Sequence, residues 1–234
     1  MNLLITICAR GGSKGLPNKN VLLLNDKPLI EYTIDIAKQF GFKYNADIDI
    51  STDSLLIKNI AHSKGIITNY IRPQYLSTDE IGKIATIKDL LLHNEIFHNK
   101  IYNFILDLDV TSPLRNLDDL ENAFISIQNN DNAINLFSVS KADKNPYFNM
   151  VELKNNGFYG LVKSGDFKTR QHSPQVYQLN ASFYFYKRNF FIKKNNVINK
   201  NSLIYEINHI CFDIDNKIDF EFMEYLLKKE YISL

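Results

Sequence analysis

The sequence has no surplus of either charge: 27 basic and 26 acidic side chains leave a formal net charge of +1 over 234 residues. That balance excludes the global field that draws a protein onto nucleic acid or an anionic membrane, so any anion site has to be local. Long apolar runs are also missing. None approaches the roughly 18 residues of a membrane span, and residues 1–8 lack a basic leader and are too short and β-branched for a signal peptide. A cytoplasmic chain with no nucleic-acid or membrane partner is the expectation. Cysteine is scarce: Cys8 and Cys211 each end an apolar run, show no metal-type spacing, and read as reduced core thiols. Internal repeats and low-complexity linkers are absent. With nothing to mark a boundary and an apolar content of 45%, the chain reads as one domain over residues 1–234.

What is present is an alternation of strand-length apolar runs and helical patterns. Strands are expected at Leu3–Cys8, Asp47–Ser51, residues 102–108 and residues 133–139. Helices are expected at residues 29–39 after Pro28, 54–64 before Gly65, 81–97 and Leu117–Gln128. This order predicts an α/β fold whose mostly parallel central sheet carries helices on both faces. After Val139 the rhythm changes. Extended pieces at 150–153 and 159–162 flank Asn155, Asn156 and Gly157, a hairpin turn, so residues 141–175 or thereabouts read as an insertion. An aromatic strand at 182–186, a short strand at 211–214 and an amphipathic helix at 218–229 complete the prediction.

Residues 9–20, Ala-Arg-Gly-Gly-Ser-Lys-Gly-Leu-Pro-Asn-Lys-Asn, follow the first strand directly. Open α/β sheets bind ligands at the carboxyl ends of their strands, which is where this loop falls. Gly11, Gly12 and Gly15 let backbone N–H groups approach phosphates, and Arg10, Lys14 and Lys19 add positive charge. A triphosphate, with about four negative charges, suits that density of donors. The spacing excludes a Walker A loop, because Lys14 precedes Gly15. It also excludes the dinucleotide fingerprint, because the loop runs through Pro17 into the extended residues 21–24 instead of opening a helix.

Other positions admit two readings on their own residues. Ser51-Thr52-Asp53 either caps the next helix or joins a site, and Ser112-Pro113 is either a turn or part of one. Asp213 and Asp215 alternate as on a strand, so both carboxylates would share one face; a cation between them, or exposure at a strand end, would relieve their repulsion.

The loop, with the following Lys27-Pro28-Leu29-Ile30 and Tyr32-Thr33, resembles the signature of the CMP-acylneuraminate synthetase family. So do Ser51-Thr52-Asp53, Arg72-Pro73, Ser77-Thr78-Asp79, Thr111-Ser112-Pro113-Leu114-Arg115 and Asp213-Ile214-Asp215 with Asp219, in the same order along the chain. The resemblance implies a three-layer Rossmann-like nucleotidyltransferase fold and a Mg²⁺-dependent cytidylyltransferase that joins CTP to a nine-carbon 2-keto sugar acid. It implies nucleotide contacts from Ala9, Arg10, Gly11, Gly12, Ser13, Lys19, Asn20, Arg72, Ser77 and Thr78, with Lys19 on the phosphates and Arg10 beside it in catalysis. It implies Mg²⁺ on Asp213 and Asp215, sugar contacts from Asp109, Thr111, Ser112, Arg170, Gln171, Tyr177, Asn180 and Ser182, and a homodimer made through the insertion.

The sequence also departs from the pattern. Sialic-acid members read Leu-Gln-Pro where this chain has Asp107-Leu108-Asp109-Val110, and Asn-Gly-Ala where it has Asn180-Ala181-Ser182. These segments, with Asn145-Pro146-Tyr147-Phe148-Asn149, resemble the branch that activates legionaminic acid. Asp109 is left between a sugar amide and the metal, Asp107 is read as a strand-end cap, and the general base is open between Asp109 and a metal-bound hydroxide. Two rivals stand beside this reading: a cytidylyltransferase for the eight-carbon acid of lipopolysaccharide, and a non-catalytic nucleotide sensor of the same fold.

Overall fold

The computed structural model describes residues 1–12, 15–78, 81–192 and 196–234. Strand β1 (Leu3–Cys8) leads through the signature loop into a two-residue ribbon, β2 (Leu23–Leu24) and β3 (Lys27–Pro28), and then into helix α1 (Leu29–Tyr44). Next come β4 (Asp47–Ser51), α2 (Leu55–Ser63), α3 (Lys83–Phe97), β5 (Phe104–Leu108), α4 (Leu117–Gln128) and β6 (Asn135–Lys141). A separate hairpin, β7 (Val151–Leu153) and β8 (Tyr159–Leu161), precedes β9 (Tyr177–Lys187), β10 (Ser202–Glu206) and α5 (Lys217–Lys228).

The main sheet has the order β10-β6-β9-β5-β1-β4. Only β9 runs against its neighbours, β5 and β6; the other pairings are parallel. Because side chains alternate across a strand, each central strand feeds two cores. Leu3, Ile5, Ile7, Leu106, Leu108, Phe183 and Phe185 face α1, α2, α4 and α5, whereas Leu4, Ile105 and Tyr186 meet Ile87 and Leu91 of α3. The sheet is therefore covered on both faces, as the alternation of elements predicts.

Local chemistry accounts for the helix ends. Ser54 accepts from the Ile57 amide, and Asn116 and Asn216 each form a reciprocal box with the aspartate three residues on. Gly65 and Gly157 adopt left-handed φ of 82°, the first after α2 and the second in the hairpin turn.

Three expectations need correction. Residues 211–214 form no strand; the position beside β6 at the sheet edge is taken instead by β10, which the sequence pattern did not predict. A single backbone bond, Ile214 N–H to the Thr111 carbonyl at 2.8 Å, ties the segment to the loop after β5. The aromatic strand starts five residues earlier than expected, at Tyr177, since its polar first half pairs with residues 139–141. Of the extended stretch expected over residues 21–24, Val21 instead closes a 3-10 turn (Lys19–Val21), and only Leu23–Leu24 form a strand.

Candidate active site

A cleft of ≈ 280 Å³ opens at the carboxyl ends of β1 and β5, lined among others by Arg10, Lys19, Asn20, Arg72, Thr78 and Asp109. The signature loop is fixed there by its own side chains and by the next strand. The Ala9 amide donates to the Ser51 carbonyl at 3.0 Å, the Gly11 amide to Asp53 Oδ1 at 2.7 Å, and Asn20 Nδ2 to the Arg10 carbonyl at 2.9 Å. Asp53 thus holds the loop, and Ser54 takes the capping role. Among the described residues, a Cβ on Gly12 would meet nothing within 4 Å. Ser13, Lys14 and Asp79 lie outside the described residues.

The loop also docks onto the carboxylate segment near the carboxyl end of the chain. A Cβ on Gly15 would overlap the Asp215 carbonyl oxygen, so only glycine permits this approach. Lys19, 9% exposed, donates from Nζ to the Ile214 carbonyl and stands 3.7 Å from Asp215 Oδ1. Asp213 and Asp215 do not share the face of a strand: Asp215 is exposed and Asp213 is half-buried. Asp213 Oδ1 is buried without a hydrogen-bond partner. Burial, then Asp109 and Asp215, push the Asp213 carboxyl above its ordinary range, against the opposing pull of Thr111 and Lys19.

The segment after β5 supplies the other wall. Asp109 Oδ1 accepts from the Thr111 amide at 2.9 Å and the Thr111 hydroxyl at 2.8 Å, closing an Asx turn that aims Thr111 into the cleft. Its Oδ2 accepts from Lys83 Nζ at 2.7 Å. Burial would raise the Asp109 pKa, but Lys83 and Thr111 prevail and hold it at about 2. Asp107, expected as a strand-end cap, is fully buried; it accepts from the Thr6 hydroxyl at 2.9 Å and lies 2.7 Å from the same Lys83 nitrogen. Lys83 is the charged cleft residue that the sequence did not single out. The available signal was two carboxylates inside an apolar strand, which demand a buried cation.

The remaining sugar-site candidates fall into two groups. Ser112, Asn180 and Ser182 are buried beneath the cleft and bond to one another. The Ser112 hydroxyl donates to the Asn180 carbonyl at 2.7 Å, Ser182 Oγ to the Ser112 carbonyl at 3.0 Å, and Ser138 Oγ to Asn180 Oδ1 at 2.6 Å. Arg115 binds the group together, donating to the carbonyls of Asp109, Ser112 and Ser182 at 2.9, 2.7 and 2.8 Å. Burial draws its pKa down to about 10. Arg170 and Gln171 instead line a separate ≈ 400 Å³ cavity on the insertion, where Arg170 donates to the Asp143 carbonyl at 3.1 Å. Tyr177 is exposed at the start of β9. Arg72 is buried at the cleft with its Nε in no hydrogen bond, and Ser77 Oγ is likewise buried and unbonded.

A mostly parallel sheet with a glycine-rich, cationic loop at its carboxyl edge is the arrangement of a nucleotide-binding protein. Residues 4–233 match the Cytidylyltransferase family, and the chain belongs to it. Post-translational flagellin modification protein B of Campylobacter coli is 39% identical over 232 residues, covering 99% of this chain and 97% of the relative. CMP-N,N'-diacetyllegionaminic acid synthase of Campylobacter jejuni is 38% identical over 234 residues, again covering 99% and 97%. The N-acylneuraminate cytidylyltransferase of Streptococcus agalactiae is 32% identical over 222 residues, 94% of this chain and 52% of the relative. Among solved structures, the CMP:2-keto-3-deoxy-manno-octonic acid synthetase complexed with CTP shares the fold. Its TM-score is 0.70 at 15% identity, over 98% of this chain and 100% of that one.

Proposed function

We propose that this chain joins CMP, taken from CTP, to the anomeric hydroxyl of a nine-carbon 2-keto sugar acid in the cytoplasm, and that it prefers an acceptor of the legionaminic acid type. The observation that carries the reading is the meeting in one cleft of Arg10, Lys19, Asn20 and Arg72 with Asp109 and Thr111. The full-length similarity to the CMP-N,N'-diacetyllegionaminic acid synthase favours that acceptor over N-acetylneuraminic acid.

In this mechanism the protein positions and neutralises charge, and no side chain becomes covalently attached. The N–H group of Gly12, with Lys19, holds the phosphates and stabilises the departing pyrophosphate, while the Gly11 N–H stays on Asp53 and fixes the loop. Arg10, Asn20 and Arg72 orient the nucleotide, and Thr111 and Asp109 face the acceptor. Asp109, with its pKa held at about 2, is a poor proton acceptor at neutral pH.

A divalent cation fits the residues present. Asp213 has a buried oxygen without a partner among the described residues and a carboxyl pushed up by burial and by two further carboxylates. Among the described residues no cluster of three or more His, Cys, Asp or Glu could cage a metal alone. Mg²⁺ characteristically uses one or two carboxylates with substrate oxygens and water. Asp213 and Asp215 would hold it, and when bound it supplies charge neutralisation at the α-phosphate.

The insertion supports a homodimer. Val151, Leu153, Phe158 and Tyr159 are 62%, 63%, 74% and 73% exposed, an apolar surface that a second copy would cover. That copy would also complete the acceptor end, with Arg170 offering a guanidinium to the sugar carboxylate. Sedimentation at working concentration should give twice the chain mass.

Pyrophosphate release from CTP tests the activity, measured with N,N'-diacetyllegionaminic, N-acetylneuraminic, pseudaminic and 3-deoxy-manno-octulosonic acids in turn. The first should be the best substrate. A preference for the eight-carbon acid would assign the chain to that acceptor class, and no release with any acid would favour a nucleotide sensor.

A further inference from the structure

No sequence motif contains Lys83, yet it has the most unusual placement of any cation at the cleft. It opens α3, where an ammonium meets the positive end of the helix dipole and gains nothing from the helix. The first turn of α3 holds no acidic residue, and its N-cap is Gly82. What holds the ammonium is the end of β5, with Nζ 2.7 Å from Asp107 and 2.7 Å from Asp109. Burial alone would lower the Lys83 pKa, but the two carboxylates raise it well above its ordinary value, so the residue stays charged.

This triplet accounts for the two anionic residues that depart from the sialic-acid pattern. Asp107 gives Oδ1 to the Thr6 hydroxyl, and its buried Oδ2 forms an ion pair with Lys83. Asp109 gives Oδ1 to the Thr111 amide and hydroxyl and one position on Oδ2 to Lys83. An ammonium has three protons, and a carboxylate about four acceptor positions. Among the described residues at least one donor on Lys83 and one acceptor position on Asp109 are therefore left over, and both residues line the ≈ 280 Å³ cleft with side chains 31% and 20% exposed. The triplet as a whole is anionic, so it disfavours the sugar carboxylate and the phosphates and accepts an uncharged group. An acylamido substituent carries its N–H and its carbonyl on separate atoms and can answer both side chains at once. A hydroxyl offers both functions on a single atom.

We propose that Lys83 is a specificity-determining residue that, paired with Asp109, reads an acylamido substituent of the acceptor sugar in preference to a hydroxyl. The inference rests on the acceptor class proposed above.

The test is kcat/KM for N,N'-diacetyllegionaminic acid and for N-acetylneuraminic acid, with CTP saturating, in the unmodified chain and in Lys83→Met, Lys83→Arg and Asp109→Asn. Lys83→Met should narrow the ratio between the acceptors by about tenfold or more while the KM for CTP stays within about twofold, and Lys83→Arg should retain more of the ratio. If both acceptors lose rate in equal proportion, Lys83 is only a brace and the inference is overturned. Should Lys83→Met fail to fold, Asp109→Asn gives the same readout, because its carboxamide oxygen still serves the Thr111 amide; an unchanged ratio there also overturns the inference. An unmodified chain inert on both acids would sink the parent reading and this one with it. Activity without a shift in ratio sinks this one alone.

Discussion

The proposed nucleotide end of the cleft draws mainly on one short stretch of chain: residues 9–12 and 15–20 supply backbone amides and cations, Arg72 stands beside them, and Asp53 and Ser51 pin the stretch to the adjoining strand. The proposed acceptor end is assembled from segments far apart in sequence, with Lys83, Asp109 and Thr111 in the cleft, Ser112, Asn180 and Ser182 buried, and Arg170 and Gln171 on the insertion. A phosphate chain is recognised by charge and amides, which a compact loop can present by itself. A branched sugar acid needs several directions of approach, and these come from several elements.

If the two ends are separable in this way, the largest loss should follow from Lys19→Ala. One preorganised electrostatic contact to developing charge is worth about 2.7–4 kcal/mol, so kcat should fall by roughly 10²–10³ while the acceptor KM changes little. Steady-state kinetics with each substrate varied in turn would check this, and a near-normal kcat would remove Lys19 from the phosphates. Gly15→Ala strikes the junction between the loop and the carboxylate segment. With no room for the new methyl against the Asp215 carbonyl, the loop must shift, and kcat should drop by about tenfold or more, in line with the sensitivity of such sites to misplacement near 1 Å.

Arg170→Ala addresses the opposite end. Loss of a charge-assisted contact of about 1.5–3 kcal/mol should raise the acceptor KM by roughly ten- to a hundredfold and leave the KM for CTP alone. Equal movement of both constants would break the division between the two ends.

The smallest effect concerns stability. Ala181 sits at φ 57°, where β9 bulges opposite Ser138, so that Asn180 and Ser182 turn inward. An alanine there costs about 1–2 kcal/mol, whereas glycine costs about 0.5–1 kcal/mol in unfolded-state entropy. Ala181→Gly should therefore stabilise the fold by about 0.5–1 kcal/mol, seen as a Tm raised by a few degrees. A lower Tm would mean that the bulge does not store strain.

The same division governs what could be read from the sequence. The loop, the alternation of strands and helices, the hairpin at Gly157 and the helix over Leu117–Gln128 were legible because each is specified by adjacent residues. The edge strand Ser202–Glu206 was not, since its membership of the sheet depends on pairing with β6, 67 residues away at Ser202 and Asn135. Nor was Lys83, whose meaning depends on carboxylates that follow it by 24 and 26 residues and reach it only through the packing of α3 on the sheet. The roles of Ser112, Asn180 and Ser182 were read by resemblance; the Ser112 and Ser182 hydroxyls donate to the backbone carbonyls of Asn180 and Ser112, and Asn180 Oδ1 accepts from Ser138.

The most direct test of this account is the equilibrium binding of CTP to the double variant Asp109→Asn/Arg170→Ala, titrated calorimetrically beside the unmodified chain, with acceptor saturation measured on the same samples. The account predicts a Kd for CTP within about twofold of the unmodified value and an acceptor KM raised by more than about tenfold. A CTP affinity that weakens in step with the acceptor would contradict it, showing that the two ends of the cleft are one site.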